Sequence, residues 1–319
     1  MHYPTDINLL LDAMRKVIFL THDLSEKSGI DGWRKSKYNY NKIRRLYQKS
    51  QKSHRSKRKE KKDRVKAFES YMAVAAEFLE RAEETISQVI PYDEIILIQI
   101  LEIEQYINDA RRQIDQIERR IINGETIPHE EKVFSIFERH TEWISKGKAG
   151  VPVELGLQVC IMEDENGFIL HHRVMQKEED VDVAVAMVKA TLEKFPEFDG
   201  CSFDKGFWCP ENQTALSRLL NWLVLPKKGK RSRADKEREG SESFAEGRRK
   251  HSAVESAIAA LENQGLDRCL DHGVAGFENY VALAVLGRNF QKLGGVLQAK
   301  ALKRARRKRP NGGGLKKAA

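Results

Sequence analysis

The sequence predicts an α/β protein in which an all-α N-terminal region precedes a mixed sheet flanked by helices. Three observations predict it. Between 65 and 121 two long apolar stripes recur in steps of three and four, the period of a helix. Between 151 and 175 two runs alternate apolar and polar side chains around Glu163-Asp164-Glu165-Asn166-Gly167, which is β-hairpin patterning. From 181 onward helical patterns alternate with short apolar runs, the order expected of strands joined by crossover helices.

At 319 residues the chain has room for two domains, and 40% hydrophobic content supports a core. The expected division is a helical region over 1–128, an α/β domain over 129–295 and a disordered basic tail over 296–319. The formal net charge of +9 is strongly localised: residues 34–66 hold sixteen Lys and Arg against two acids, Glu60 and Asp63. Positive charge gathered in one segment points to a polyanion partner. No apolar run reaches the roughly 18 residues of a membrane span, and the N-terminus lacks the charged-then-apolar order of a signal peptide. A soluble intracellular protein with no membrane partner is therefore expected. The four cysteines, Cys160, Cys201, Cys209 and Cys269, form no Cys-x-x-Cys pair, so free and mostly buried thiols are expected.

Each element follows from local pattern. Thr5 or Asp6 is placed to cap a first helix carrying Ile7, Leu10, Leu11, Met14, Val17 and Ile18. From 33 to 66, Lys and Arg interleave with Tyr38, Tyr40 and Tyr47, which suits a DNA-contacting element; the same tyrosines equally suit the core side of a basic helix. The stripes from Val65 to Val89 and from Ile96 to Ile121, separated by Pro91, would bury each other in a long antiparallel helical hairpin, or pair between subunits. Strands are expected over 151–162 and 168–175, a helix over 181–195, a strand over 201–204, a helix over 210–220 and a strand over 222–226. A basic linker and a final helix bearing Glu255 follow. His171 and His172 are adjacent in a strand, so they face opposite sides and cannot share one ion.

Two carboxylates stand out. Asp204 ends a short apolar run, and Glu255 lies inside an amphipathic helix further on, with lysines and arginines between them. Acids held on rigid elements suit Mg²⁺, a hard ion that takes oxygen ligands; Mn²⁺ would also serve. Two such ions roughly 4 Å apart can activate an attacking oxygen and stabilise a leaving one in phosphoryl transfer. Lys227, Lys228, Lys230, Arg231 and Arg233 form a loop suited to tracking a DNA backbone. Lys205, Arg248, Arg249, Lys250 and His251 flank the two acids and could hold phosphates, or simply form a solvated helix start.

The element order matches a ribonuclease-H-like mixed sheet from its second strand onward, lacking its first strand. Several phrases carry a closer likeness: HYPTD at 2–6, TEWISKGKAG at 141–150, VELG at 153–156, FDKGF..PEN at 203–212 and LPKKGK at 225–230. RRKHSAVES..AALE..GLDRC.DHG at 248–273 and GF..YVALAVL.RN at 276–289 complete the set. In these the chain resembles the DDE transposases of bacterial insertion sequences, near the ISNCY-like group. The resemblance places the second acid of the family on Asp204 and its Glu on Glu255, and His251 where relatives carry a basic contact to the DNA end. It places the first Asp on a strand just ahead of the HYPTD phrase, so this chain is expected to hold two of three acids, with Asp6 and Glu154 as the substitutes to test.

The resemblance further implies an enzyme that cleaves and transfers the strands of double-stranded DNA, at transposon ends and target, with Mg²⁺. It implies a homo-oligomer on DNA and a bacterial cytoplasmic, nucleoid-associated location. Loss of one such electrostatic group typically costs about 10²–10³ in rate, so the chain is expected to bind DNA and cleave it poorly. The alternative is a catalytically inactive DNA-binding remnant that occupies element ends or joins full-length subunits.

Overall fold

Helices form wherever the sequence supplies a cap and an apolar stripe, and the first four share one core. A computed structural model describes residues 4–55, 60–145, 153–251 and 253–308; the side chains of 253, 255 and 306–308 lie outside that description. The chain divides into two units, Met1–Trp143 and Ile144–Ala319. About two thirds of it is helical, with small sheets of few strands. Among the described residues no helix is long and apolar enough to cross a membrane.

The first unit contains α1 (Asp6–Ser28), α2 (Ser36–Arg55), α3 (Lys61–Gln88) and α4 (Glu94–Ile117). Thr5 caps α1, its hydroxyl accepting from the Asn8 amide, and Gly29 ends it at φ 66°, where a side chain would be strained. Asp93 caps α4 by accepting from the Ile96 amide at 2.8 Å. Leu10, Met14 and Ile18 of α1 meet Phe68, Phe78 and Leu79 of α3 and Ile100, Ile103 and Ile107 of α4 in one cluster. The helical hairpin expected of α3 and α4 is thereby corrected. The two do touch, but α4 lies chiefly against α1, and α3 against α2. Each stripe is too wide for one neighbour to cover.

Polar detail ties these helices together. The buried Trp33 indole donates to Thr85 Oγ1 at 2.8 Å, with the Arg81 guanidinium 4.3 Å above its ring. Tyr47 donates to Asn8 Oδ1, and Tyr40 packs on Phe19, so these two tyrosines serve the core. Tyr38 is exposed. Asp6, a substitute acid on sequence grounds, is held by both nitrogens of an Arg120 fork at 2.7 and 2.8 Å and belongs to this unit.

Strand β1 (Glu142–Ser145) leads from one unit into the other. The second unit continues with β2 (Val153–Gly156), β3 (Gln158–Glu163), β4 (Ile169–Met175), α5 (Asp180–Lys194), β5 (Gly200–Ser202), α6 (Pro210–Leu219) and β6 (Trp222–Val224). Helices α7 (Arg233–Glu239), α8 (Glu242–His251), α9 (Ala253–Leu261) and α10 (Gly273–Lys308) complete it. β3 and β4 are antiparallel, with Met162 opposite His171, and their turn is closed by Asp164 Oδ1 accepting from the amides of Asn166 and Phe168. β5 and β6 are parallel, with Cys201 opposite Leu223.

One expectation fails here. The described strands pair two by two and do not merge into one mixed sheet. The hairpin is buried on both faces: Met162 and Met175 join α5 and β5, while Ile169, Ile161 and Val174 join α9 and α10. Two further expectations are corrected. The boundary between units falls after Trp143 and not at 128. The tail expected to be disordered from 296 is helical through Lys308, and 309–319 lie outside the described residues.

Arg139 supplies a test of the first unit. Its guanidinium forks onto Asp109, whose side chain is only 5% exposed, at 2.5 and 3.2 Å. Burial raises the Asp109 carboxyl and Arg139 opposes that rise. Arg139→Ala should cost near the low end of about 3–5 kcal/mol, because the guanidinium is itself partly in water. The unpaired acid can then escape its penalty only by taking a proton. The loss, read by urea unfolding, should therefore be largest at neutral pH and shrink as pH falls through the raised Asp109 range.

Candidate functional site

Asp204 lies two residues past β5, beyond the buried Phe203, and its Oδ1 accepts from the Lys205 amide at 2.8 Å, which fixes the carboxylate at the head of a short turn. Both Asp204 and Lys205 are exposed. Glu255 lies in α9, one turn beyond the end of α8; its side chain lies outside the described residues. What ties the two elements is His251. The last residue of α8 places Nδ1 3.1 Å from Oγ of Ser202, the last residue of β5.

A glycine lets that helix come close. A Cβ on Gly247 would sit 2.6 Å from Val224 Cγ2, so only the bare backbone allows α8 to seat on β6. Phe244, one turn earlier, is buried. The helix leading to Glu255 is thus held against the strand pair that ends at Asp204.

Sequence reasoning missed a third acid at this place. Asp180, the first residue of α5, has its carboxylate directly over Gly206: a Cβ there would lie 2.2 Å from Asp180 Oδ2. Burial raises the Asp180 carboxyl first; the negative charge of Asp204 and then Glu179 raise it further, and Lys228 opposes them. Asp180, Asp204 and Lys228 therefore act on one another electrostatically. The available signal was an acid at the start of a helix that follows a strand, masked because the apolar pattern begins only at Val181.

The basic loop is only partly as expected. Lys227 Nζ is 2.5 Å from Asp235 Oδ2, its amide donates to Glu239 at 2.7 Å, and its ammonium lies over Trp208. Arg231 Nε is 2.9 Å from Glu239 Oε2. Lys227 and Ser232 hold the Asp235 carboxyl well below the ordinary carboxylate range. These two cations are corrected from free phosphate ligands to braces of α7, a short capped helix within what reads as a linker. Lys228, Lys230, Arg233, Arg248 and Arg249 are exposed. Lys250 pairs with Glu246 at 3.1 Å.

Other candidates lie apart from this chemistry. Glu154 is an exposed residue of β2. His171 and His172 are half-buried in β4, and burial followed by Lys194 lowers both below the usual imidazole range. All four cysteines are free, but only Cys201 is fully buried, against the expectation for most of them. Burial pushes the Cys160 and Cys201 thiols up to about 12, which makes them inert packing groups. In the first unit, Arg44, Arg45, Lys49 and Lys52 leave an exposed basic face along α2. Residues 56–59 of the basic segment lie outside the described residues.

The site thus offers hard oxygen donors just past β5 and at the start of α5, a helix leading to a further acid, and the exposed Lys205 and Lys228 by the two acids. No protein-family model, curated protein or solved structure matches this chain.

The seating of α8 is testable. Gly247→Leu must push the helix off Val224, and such overpacking typically costs about 1–3 kcal/mol. The expected result is a lower unfolding temperature together with loss of the His251 contact, seen as a shift of its imidazole NMR resonance. An unchanged His251 resonance would show that the close approach does not hold the helix.

Proposed function

We propose that this chain handles DNA by metal-dependent phosphoryl transfer, in the manner of the transposases it resembles. The observation that carries the reading is the Ser202–His251 contact, which holds the strand end bearing Asp204 against the helix that runs on to Glu255. The order of hairpin, helix, strand, helix, strand and helix supports a ribonuclease-H-like ancestry, in which acids gather at the ends of strands.

Among the described residues no group of three His, Cys, Asp or Glu side chains is gathered to hold a metal ion, so the reading rests on the pair Asp180 and Asp204, whose oxygens suit a hard divalent cation, with Glu255 as the third donor. Asp180 and Asp204 repel each other, and a cation between them relieves that repulsion. Asp204, Asp180 and Glu255 would hold Mg²⁺, with Mn²⁺ as substitute. When bound, the ion supplies charge stabilisation to attacking and leaving phosphate oxygens. Lys205 and Lys228 stand by the acids and would orient backbone phosphates together with the exposed Lys230, Arg248 and Arg249, while the basic face of α2 adds sequence-independent affinity.

Two measurements test this. Supercoiled plasmid incubated with the full chain and Mg²⁺ or Mn²⁺ should be nicked, and Asp204→Asn, Asp180→Asn and Glu255→Gln should each slow nicking by about 10²–10³. Nicking indifferent to all three would overturn the assignment of the acids. Binding without nicking would assign the chain the other role that the sequence suggests, occupation of element ends without chemistry. Separately, replacing Arg44, Arg45, Lys49 and Lys52 with Ala should reduce the slope of log affinity against log salt by roughly 0.9 for each phosphate that is no longer neutralised. An unchanged slope would remove α2 from the interface.

A further inference from the structure

Helix α10 keeps one face in the second unit and turns the other outward. Val281 and Val285 are buried against the hairpin. The Asn289 side-chain amide grips β4 by donating to the Ile169 carbonyl and accepting from its amide, both at 2.9 Å. Lys292 lies over Gly167 on the same side. The outward face carries Leu283, Leu286, Phe290, Leu293 and Leu297, spaced three and four apart and between 43% and 65% exposed. Five large apolar side chains in one seam are a partner surface, whereas scattered exposed leucines would not be. Gly287 and Gly294 stand beside the row with nothing within 4 Å of where a Cβ would be.

The row is self-complementary when reversed. With Phe290 on a two-fold axis, Leu283 stands level with Leu297 of a second copy, and Leu286 and Gly287 stand level with its Gly294 and Leu293. On a helical wheel the two leucines flank the seam on one side and the two glycines on the other. Leucine flank then meets leucine flank, and glycine flank meets glycine flank, where the bare backbones can approach closely. No charged residue interrupts this face between 283 and 297, since Arg288 and Lys292 are on the hairpin side.

Charge selects the direction. Lys300, Lys303 and Arg304 make one end of α10 basic and Glu278 lies towards the other. Parallel pairing would stack the basic ends, whereas antiparallel pairing separates them and brings Glu278 level with Leu302, among the cations of the second copy.

We propose that the outward face of α10 is a homodimer interface in which two copies of this helix pair antiparallel about Phe290. This rests on the helix alone and stands apart from the proposed chemistry. Analytical ultracentrifugation of the full chain at micromolar concentration should show a dimer, and L286E/F290E should sediment as a monomer with its circular dichroism unchanged, because both residues are exposed, while its unfolding temperature loses the dependence on protein concentration that the wild-type dimer shows. Cysteine pairing reports direction independently: L283C mixed with L297C should cross-link above the wild-type background, while either variant alone should not. A monomeric wild type, a dimer indifferent to L286E/F290E, or L283C cross-linking to itself would each overturn the proposal.

Discussion

The second unit depends on how closely one helix can approach one pair of strands. β5 and β6 have three residues each, too few to hold a sheet by hydrogen bonds alone. They persist because Leu216 and Leu220 of the α6 region and Phe203 and Leu225 beyond the strand ends bury one face, while α8 contacts β6 through Gly247 and β5 through His251. A side chain at 247 would lengthen that approach by the width of a methyl group or more, and close-packed interiors have no slack to absorb it. The placement of His251 against Ser202, and with it the direction in which the chain runs towards Glu255, follows from a glycine with no chemistry of its own.

The same unit shows why a paired strand segment reads as apolar on both sides. Residues 158–163 send Cys160 and Met162 towards α5 and Val159 and Ile161 towards α9 and α10. Strands covered on both faces lose the simple alternation of a half-exposed sheet. Asn289 completes the arrangement, giving the edge of β4 the two hydrogen bonds that a neighbouring strand would have supplied. Elsewhere in the unit Asp180 packs over Gly206, so its carboxylate is denied full hydration and also feels the negative charge of Asp204.

Most elements were legible in the sequence because their signals are local. Asp93, Pro91 and the spaced isoleucines define α4, and Asp164 with Gly167 defines the hairpin turn, without reference to anything distant. What was not legible is pairing. The stripes of α3 and α4 are apolar enough to cover each other, and only the third dimension shows that α1 and α2 take most of that surface. Lys227 and Arg231 read as free cations because Asp235 and Glu239, which neutralise them, belong to a seven-residue helix hidden in a charged run. Asp180 was passed over for the opposite reason: its neighbour Val181 carried the visible pattern, and its proximity to Asp204 joins residues far apart in the chain.

Charge and apolar surface are kept apart along α10, and that separation sets what each part of the helix can do. From 283 to 297 the outward face has no ionic groups, so association there loses nothing to desolvation of charge. From 300 onward the helix is basic and exposed on every described side, which keeps it from burying against an apolar partner and favours polyanions. An antiparallel pair would carry these two basic ends to opposite extremities with the apolar seam between them.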